Sequence, residues 1–253
     1  MAGQHQPGPT GQSAVAQNID DGTLARTASP APGPLALCTA TGPSDFSWGY
    51  GDVVVWKVLP KWLGGDPDRL RNYKDRWVRD HRAAIKRLSL QYNLPPELLA
   101  GVAWIETGGK PYTSKLDLYR LRRFDHSGDP LLEPMTITKK PGFTSMGPVA
   151  IQLRRAAETM GVDFDRLNEK EKSELVDCLQ NADNDLAIVA RHLWQLKQID
   201  FPDPLPVGPL EIQIIGARYN RGRELSLQQI RLNTSYGDFI VKFIPRLRAL
   251  LAE

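Results

Sequence analysis

The chain has 253 residues, of which 41% are hydrophobic and 24% charged, and its formal net charge at pH 7 is +3. This composition is typical of a soluble globular protein with one main domain and an extension. It excludes a membrane-spanning chain, because no segment contains the roughly 18 consecutive apolar residues that a transmembrane helix needs.

The start of the chain and its two cysteines bear on compartment and cofactors. The first residues, MAGQHQPGPTGQ, lack the basic and apolar regions of a Sec signal peptide, so we expect no export by that route. Cys38 and Cys178 lie far apart without metal-ligand spacing, which predicts isolated thiols rather than a zinc site or a disulfide framework. We expect neither a metal nor a cofactor.

Charge is unevenly distributed along the chain. Residues 1–50 contain one basic and three acidic residues, a net charge of −2, which leaves +5 for residues 51–253. A basic body favours an anionic partner such as cell-wall glycan, a membrane surface or nucleic acid. The excess is too small to choose among these partners.

Composition divides the chain into three regions. Residues 1–45 are rich in small and polar residues and proline without apolar periodicity, which predicts a disordered tail. Residues 46–65 contain three of the six tryptophans and a β-branched run at residues 53–55, which favours an ordered lead-in segment with one short strand. Residues 66–253 carry helical patterns and form the predicted main domain.

The main domain is predicted to begin with two helices. Apolar residues at spacings of three and four over residues 70–92 predict one long helix, and Pro96 suits the first turn of the next. The second helix, ELLAGVAWIE, is apolar nearly all round, so we expect it to be central and buried. Gly108 and Gly109 are its stop signal.

The rest of the main domain alternates loops and helices. Residues 110–144 lack sustained helical periodicity, which predicts loops and a small hairpin. Asn168 and Glu171 form a capping-box pattern, Pro209 opens a later helix, and the final helix contains Pro245. We therefore predict a mainly α fold, a helical bundle around a central helix with a small β or loop excursion.

Glu106 is the sharpest candidate for chemistry. It lies at the end of the apolar helix, where Thr107 and two glycines follow it. Burial disfavours an ionised carboxylate and raises its pKa, which suits a general acid that works near neutral pH. The alternative is a glutamate at a frayed helix end that simply faces water.

Two downstream segments carry further candidates. TSMGPVAIQ places Ser145, Gly147 and Gln152 around a predicted helix start, where backbone N–H groups and an amide can hydrogen-bond a sugar. ARYNRG ends an apolar helix with Tyr219 and Asn220. Each segment alone is equally well explained by capping and packing at a helix end.

Taken in this order, the three segments resemble the lytic transglycosylase branch of the lysozyme-like superfamily. Members have a helix ending in Glu-Ser, a Gly-Leu-Met-Gln turn and helix, and a helix closing on Tyr-Asn-x-Gly. NLPPELLAGVAWIETGG is similar to the first element, with Glu106 at the catalytic position and Thr107 where serine is usual. TSMGPVAIQLRRAAETMG and IIGARYNRG are similar to the second and third, although Gly147 stands five residues before Gln152 instead of three. The resemblance covers roughly residues 80–250.

The resemblance implies a lysozyme-like α+β catalytic domain that cleaves peptidoglycan at the β-1,4 bond between N-acetylmuramic acid (MurNAc) and N-acetylglucosamine (GlcNAc). One carboxyl group, that of Glu106, would protonate the glycosidic oxygen and then help the muramyl 6-hydroxyl to attack the anomeric carbon, leaving a 1,6-anhydro end. The implied substrate-binding residues are Thr107, Ser145, Gly147, Gln152, Tyr219 and Asn220.

Three other hypotheses remain. A hydrolytic muramidase needs a second carboxylate. A non-catalytic protein, either a glycan-binding domain or a structural module of a phage or secretion machine, would leave Glu106 idle. Nucleic-acid binding is disfavoured, because acidic residues are interspersed in the basic run RLRNYKDRWVRDHRAAIKR. The candidates for the second carboxylate are Asp117, Asp125, Asp129 and Glu133.

The implied substrate lies outside the cytoplasm, whereas no Sec signal is visible. We therefore expect synthesis in the cytoplasm and non-Sec delivery to the periplasm or cell wall, by phage lysis or by a contact-dependent machine such as type VI secretion. An antibacterial effector with a cognate immunity protein is a hypothesis of the same kind.

Overall fold

Helices make up most of the structure, as the periodicity predicts. The computed structural model describes residues 35–42, 48–126, 136–203 and 206–252. The helices are α1 (Tyr50–Val53), α2 (Arg69–Asp80), α3 (Arg82–Gln91), α4 (Pro96–Glu106), α5 (Tyr112–Asp125), α6 (Leu153–Thr159), α7 (Glu169–Leu179), α8 (Ala182–Asp200), α9 (Pro209–Arg221), α10 (Leu227–Arg231) and α11 (Ser235–Ala252). Strands β1 (Ser145–Met146) and β2 (Ile151–Gln152) pair antiparallel. The mainly α fold class is confirmed.

Helix α4 lies at the centre of the bundle. Its residues 98–103 are all buried, and helices α2, α3, α8, α9 and α11 pack around it. Gly101 allows α11 to approach, because a Cβ at this position would lie 2.7 Å from Cγ2 of Ile240. The helix ends at Glu106, and Gly108 and Gly109 follow with φ angles of +76° and +81°, a region that glycine enters at little cost. Helix α4 therefore runs from the core to the protein surface and ends in a carboxyl group.

Helices α9 and α11 cross closely at two glycines. A Cβ on Gly237 would lie 1.9 Å from the backbone oxygen of Gln213, and one on Gly216 would lie 2.9 Å from the Cα of Gly237. No larger side chain fits between backbones at these distances. The crossing brings Tyr236, at the start of α11, to the end of α4, where it contacts Glu106.

The predicted long helix over residues 70–92 is wrong, because the chain bends at His81 between α2 and α3. The His81 ring stacks on Trp77 at 4.0 Å between centroids, and its Nδ1 lies 2.8 Å from the Trp77 carbonyl oxygen. The two halves keep the predicted apolar face, since both contact α4.

Two predictions of non-helical structure are also wrong. Residues 53–55 continue a helical segment that α1 begins, in which Asp52 accepts a hydrogen bond from the Gly49 amide and pairs with Arg69 of α2. Residues 112–125 form helix α5, inside the stretch predicted as loops and a hairpin. Its buried positions include a lysine, Lys115, so hydrophobic periodicity gave no signal for this helix.

The lead-in segment packs on α2 through aromatic side chains. Trp48 is 2% exposed, and its ring centroid lies 5.0 Å from that of Tyr73 and 6.2 Å from that of Trp56. Arg69 donates hydrogen bonds to Asp52 at 2.8 and 2.6 Å. These contacts fix the position of Trp56 beside the end of α4.

Residues 35–42 are attached to helix α7 by a disulfide and to helix α8 by hydrogen bonds. Cys38 and Cys178 are bonded, with their Cα atoms 5.3 Å apart, so the prediction of isolated thiols is wrong. The buried Asn184 side chain accepts hydrogen bonds from the amides of Thr39 and Ala40 and donates one to the Ala40 carbonyl. The packed chain therefore extends upstream of the predicted boundary at residue 45. The rest of the predicted tail, including residues 1–34, lies outside the described residues.

Candidate active site

Glu106 lies where two pockets meet. One has a volume of about 400 Å³ and extends along the β-hairpin and α9, and the other, of about 600 Å³, extends along the end of α4, α5 and the lead-in segment. The side chains that line both are Glu106, Phe143, Ser145 and Ala150. The two pockets therefore form one continuous cleft with the carboxyl group between its halves, which we call the Glu106 groove.

Five of the residues predicted from the sequence line this groove: Glu106, Ser145, Gln152, Tyr219 and Asn220. Ser145 and Gln152 face each other as Cα partners in the hairpin, and Gln152 accepts a hydrogen bond from Arg154 at 3.1 Å. The predicted helix start is therefore a β-hairpin, and α6 begins only at residue 153. Tyr219 donates a hydrogen bond to the carbonyl of Val149, in the hairpin turn, at 3.3 Å.

Two predicted substrate-binding residues do not line the groove. Thr107 is fully buried, and its hydroxyl points to the Pro148 carbonyl at 3.5 Å, so substrate cannot reach it. Gly147 has a φ of +74°, and a Cβ there would lie 2.4 Å from Oδ2 of Asp185. Thr107 and Gly147 therefore shape the hairpin and its contact with the bundle. Their position gives them a structural role and not the predicted contact with substrate.

The environment of Glu106 raises its pKa. Burial is the largest cause, and it outweighs a hydrogen bond from the Tyr236 hydroxyl and the positive charges of Lys115 and Lys74, which favour the ionised form. The Tyr236 oxygen lies 2.9 Å from Oε1 of Glu106. Lys74 donates to the carbonyls of Trp104 and Ile105, at the end of α4, so its charge is fixed beside the carboxyl group. Glu106 thus has the raised pKa that a general acid needs.

A buried lysine and a buried aspartate hold the hairpin turn beside Glu106. Lys115 donates a hydrogen bond to the Gly147 carbonyl at 2.7 Å, and Asp185 accepts one from the Val149 amide at 2.7 Å. Burial lowers the pKa of Lys115 and raises that of Asp185. Between these anchors and β2, Ala150 has a φ of +55°, a conformation that costs an alanine free energy and is found at sites where the surroundings enforce it.

The carboxylates proposed for a second catalytic role lie elsewhere or outside the described residues. Asp117 is exposed and pairs with Arg120 at 3.5 Å. Asp125 accepts hydrogen bonds from Thr138, which hold its pKa below the usual value. Asp129 and Glu133 belong to residues that the structure does not describe. Among the described residues that line the Glu106 groove, Glu106 is the sole carboxylic acid.

Several residues of the site carry no signal in the sequence. Tyr236 lies 130 positions from Glu106 in a segment, NTSYGD, that reads as an ordinary helix start. Trp56 belongs to the lead-in segment, and Lys115 to a stretch predicted as loop. Only the tertiary contacts show that these side chains meet at the groove.

Comparisons with protein-family models, curated proteins and solved structures found no match for this chain. Within the described residues, no helix is long and apolar enough to cross a membrane, and no group of three or more His, Cys, Asp or Glu side chains could hold a metal ion. A separate pocket of about 560 Å³, near Tyr119 and Phe164, contains Asp125 but none of the other residues predicted for the site. Function must therefore be inferred from the Glu106 groove itself.

Proposed function

We propose that this protein is a lytic transglycosylase that cleaves peptidoglycan at the β-1,4 bond between MurNAc and GlcNAc. The observation that carries the proposal is the position of Glu106, a carboxyl group with a raised pKa at the middle of an open groove. A groove that continues on both sides of the acid suits a polymer whose bond is cleaved between two bound segments. The order of the three sequence motifs supports the same function.

In the first step Glu106 acts as a general acid. Its carboxyl proton passes to the glycosidic oxygen as the bond to the anomeric carbon of MurNAc breaks, and positive charge develops on that sugar. The raised pKa keeps a larger fraction of Glu106 protonated near neutral pH than an exposed glutamate would have. The Tyr236 hydroxyl fixes one carboxyl oxygen at 2.9 Å and orients the group toward the groove.

In the second step the same group acts as a base. The carboxylate accepts the proton of the muramyl 6-hydroxyl while that oxygen bonds to the anomeric carbon, which gives a 1,6-anhydro end and restores the acid without consuming water. The positive charges of Lys74 and Lys115 and the Tyr236 hydrogen bond stabilise the carboxylate between the steps. One carboxyl group is enough for this sequence of events, in agreement with the single acid among the described lining residues.

The disulfide supports a site of action outside the cytoplasm. Structural disulfides persist in oxidising compartments such as the bacterial periplasm, where peptidoglycan is found. We extend the proposal to delivery by a non-Sec route, with a secretion machine or phage component and a cognate immunity protein as partners. Survival of recipient cells that receive the protein, with and without the product of a neighbouring gene, tests this extension.

The catalytic proposal is tested on purified sacculi. We expect Glu106→Gln to lower the rate at which soluble fragments are released by about 10³-fold or more, within the range that general acid catalysis contributes. Glutamine has the same shape but no transferable proton. Thermal melts check the fold: because the buried carboxylate is costly to ionise, the Tm of Glu106→Gln should rise relative to the original protein as pH increases above the ordinary glutamate pKa.

Mass spectrometry of the fragments separates the mechanisms. Anhydro-muramyl ends are one water lighter than the reducing ends that a hydrolytic muramidase leaves. Equal release by the original protein and Glu106→Gln would contradict the catalytic assignment, and reducing ends alone would replace transglycosylation with hydrolysis.

A further inference from the structure

Basic side chains that form no ion pair line the Glu106 groove. Lys74 and Lys115 are buried and bind backbone carbonyls, and Arg155 pairs with Glu158 and Glu224. Six further basic side chains of the lining form no ion pair with a carboxylate among the described residues: Lys57, Lys110, Arg122, Lys139, Arg154 and Arg221. Three of these donate hydrogen bonds to neutral groups, Arg122 to Thr144, Arg154 to Gln152 and Arg221 to the Gln229 carbonyl, which leave their charge uncompensated. The groove is therefore strongly cationic although the whole chain has a net charge of only +3.

These six cations lie on both sides of Glu106. Lys57, Lys110 and Arg122 line the half along α5 and the lead-in segment. The half along the hairpin and α9 contains the others, Lys139, Arg154 and Arg221. Charge spread over the length of a groove acts on a polymer that carries repeated negative groups, more than on a ligand with a single charge.

In each half of the groove a cation lies against an aromatic ring. The Lys57 ammonium lies 4.5 Å from the centroid of Trp56, and the Arg154 guanidinium lies 4.1 Å from that of Phe143. Phe143 is 37% exposed, so its ring is available to a ligand. An aromatic face beside a cation suits a sugar that bears a carboxylate. The sugar ring packs on the face of the aromatic side chain, and its carboxylate pairs with the cation.

We infer that the groove selects glycan strands whose muramyl residues carry ionised carboxylates and discriminates against strands in which those groups are amidated. The sugar rings are uncharged, so the negative groups must be either the lactyl carboxylate, free when the stem peptide is removed, or the carboxylates of the stem peptide. This inference rests on the proposed function and adds the charge of the substrate to it.

The test compares kcat/KM on three substrates at low and high salt. They are sacculi with free carboxylates, the same sacculi amidated with carbodiimide and ammonia, and strands stripped of stem peptides by an amidase. We expect amidation to lower kcat/KM about tenfold near 0.05 M salt and about twofold or less near 0.5 M, where screening shortens the range of charge interactions. Equal kcat/KM on free and amidated sacculi at low salt would overturn the inference.

The stripped strands identify the source of the charge. Where a stem peptide is attached the lactyl group is an amide, so a preference for free over amidated sacculi reports the stem-peptide carboxylates. Cleavage of stripped strands as fast as that of the free sacculi shows that the freed lactyl carboxylate is recognised as well, and cleavage as slow as that of the amidated sacculi restricts recognition to the stem peptide. Both results agree with a groove that recognises carboxylates, since they differ only in where the carboxylate is attached.

Surface variants tie the preference to the groove. We expect the triple variant Lys57→Gln, Lys110→Gln and Lys139→Gln to reduce the preference for free over amidated sacculi about fivefold, with an unchanged Tm, because all three side chains are exposed. Lys86→Gln, an exposed lysine of α3 outside the groove, is the matched control and should keep the full preference. Loss of preference in both, or in neither, would contradict the assignment to the groove.

Binding keeps this inference separate from the proposed reaction. Cosedimentation of Glu106→Gln with free and amidated sacculi measures the preference without any cleavage. A protein that binds free sacculi preferentially but cleaves none would refute the proposed function and support the charge selectivity. A protein that cleaves sacculi and binds free and amidated sacculi equally would support the proposed function and refute the charge selectivity.

Discussion

Buried charges are arranged differently in the bundle and in the Glu106 groove. In the bundle, Arg218 and Asp200 have side chains that are 2% and 6% exposed and pair through two hydrogen bonds, one of them 2.8 Å long. The remaining donors of Arg218 bind the carbonyls of Arg223 and Leu225. In the groove, Glu106 has a hydrogen bond from one neutral hydroxyl, that of Tyr236, and its cationic neighbours bind backbone carbonyls instead.

The difference shows how one protein can use buried charge for two purposes. A fully hydrogen-bonded ion pair fixes local structure, and removing one partner leaves an uncompensated charge at a high free-energy cost. A carboxyl group that lacks an ion-pair partner is easily protonated, which is a property of catalytic acids. Substitutions in the bundle should therefore change the free energy of unfolding, and substitutions in the groove should change the rate or the pH dependence of the reaction.

The largest effect on stability is expected for Asp200→Ala. It leaves the Arg218 charge buried without its partner, and we expect the free energy of unfolding to fall by about 3–5 kcal/mol. Urea denaturation measures the change. Below the unfolding transition, kcat/KM on sacculi should stay within about twofold, because the pair lies outside the groove lining. A large loss of activity in the folded Asp200→Ala variant would contradict the expectation that the bundle controls stability and the groove controls activity.

A smaller effect is expected when the Cys38–Cys178 bond is removed. The double substitution Cys38→Ser and Cys178→Ser should lower the free energy of unfolding by about 2–4 kcal/mol, because the disulfide restricts an unfolded chain between positions 140 residues apart. Thermal melts with and without dithiothreitol measure it. The reductant should lower the Tm of the original protein and leave the double variant unchanged, and a reductant-insensitive original protein would argue against a structural bond.

The smallest effect, and the one specific to the groove, is expected for Tyr236→Phe. This substitution removes the hydrogen bond that favours ionised Glu106, so the pKa of Glu106 should rise further above its ordinary value. Activity that requires protonated Glu106 is lost as pH rises through this pKa, so the alkaline limb of the pH profile should move to higher pH. The free energy of unfolding should change by only about 1 kcal/mol.

Tyr50→Phe, which alters an exposed tyrosine of α1, is the matched control for this shift. Its pH profile should coincide with that of the original protein. If the alkaline limb of Tyr236→Phe does not move, the Tyr236 hydrogen bond does not control the pKa of the catalytic acid.

The sequence predicted the parts of the fold that depend on neighbours along the chain. The capping box of Asn168 and Glu171 is present at the start of α7, and Pro209 occupies the first turn of α9. Helix α4 is buried because its apolar residues cover the whole circumference. Helix α5 lies in a stretch predicted as loop, because Lys115 occupies a buried position, where its ammonium group donates a hydrogen bond to the Gly147 carbonyl.

The amino-acid sequence by itself determined that a central apolar helix ends in Glu106, because helical periodicity, proline and glycine act over a few residues. It also determined which segments supply Ser145, Gln152, Tyr219 and Asn220. Only the tertiary structure decided that Tyr236 meets Glu106, that Cys38 bonds to Cys178, and that cations without a carboxylate partner line both sides of the acid. These contacts join residues up to 140 positions apart, and their geometry depends on how helices pack, which no local pattern records.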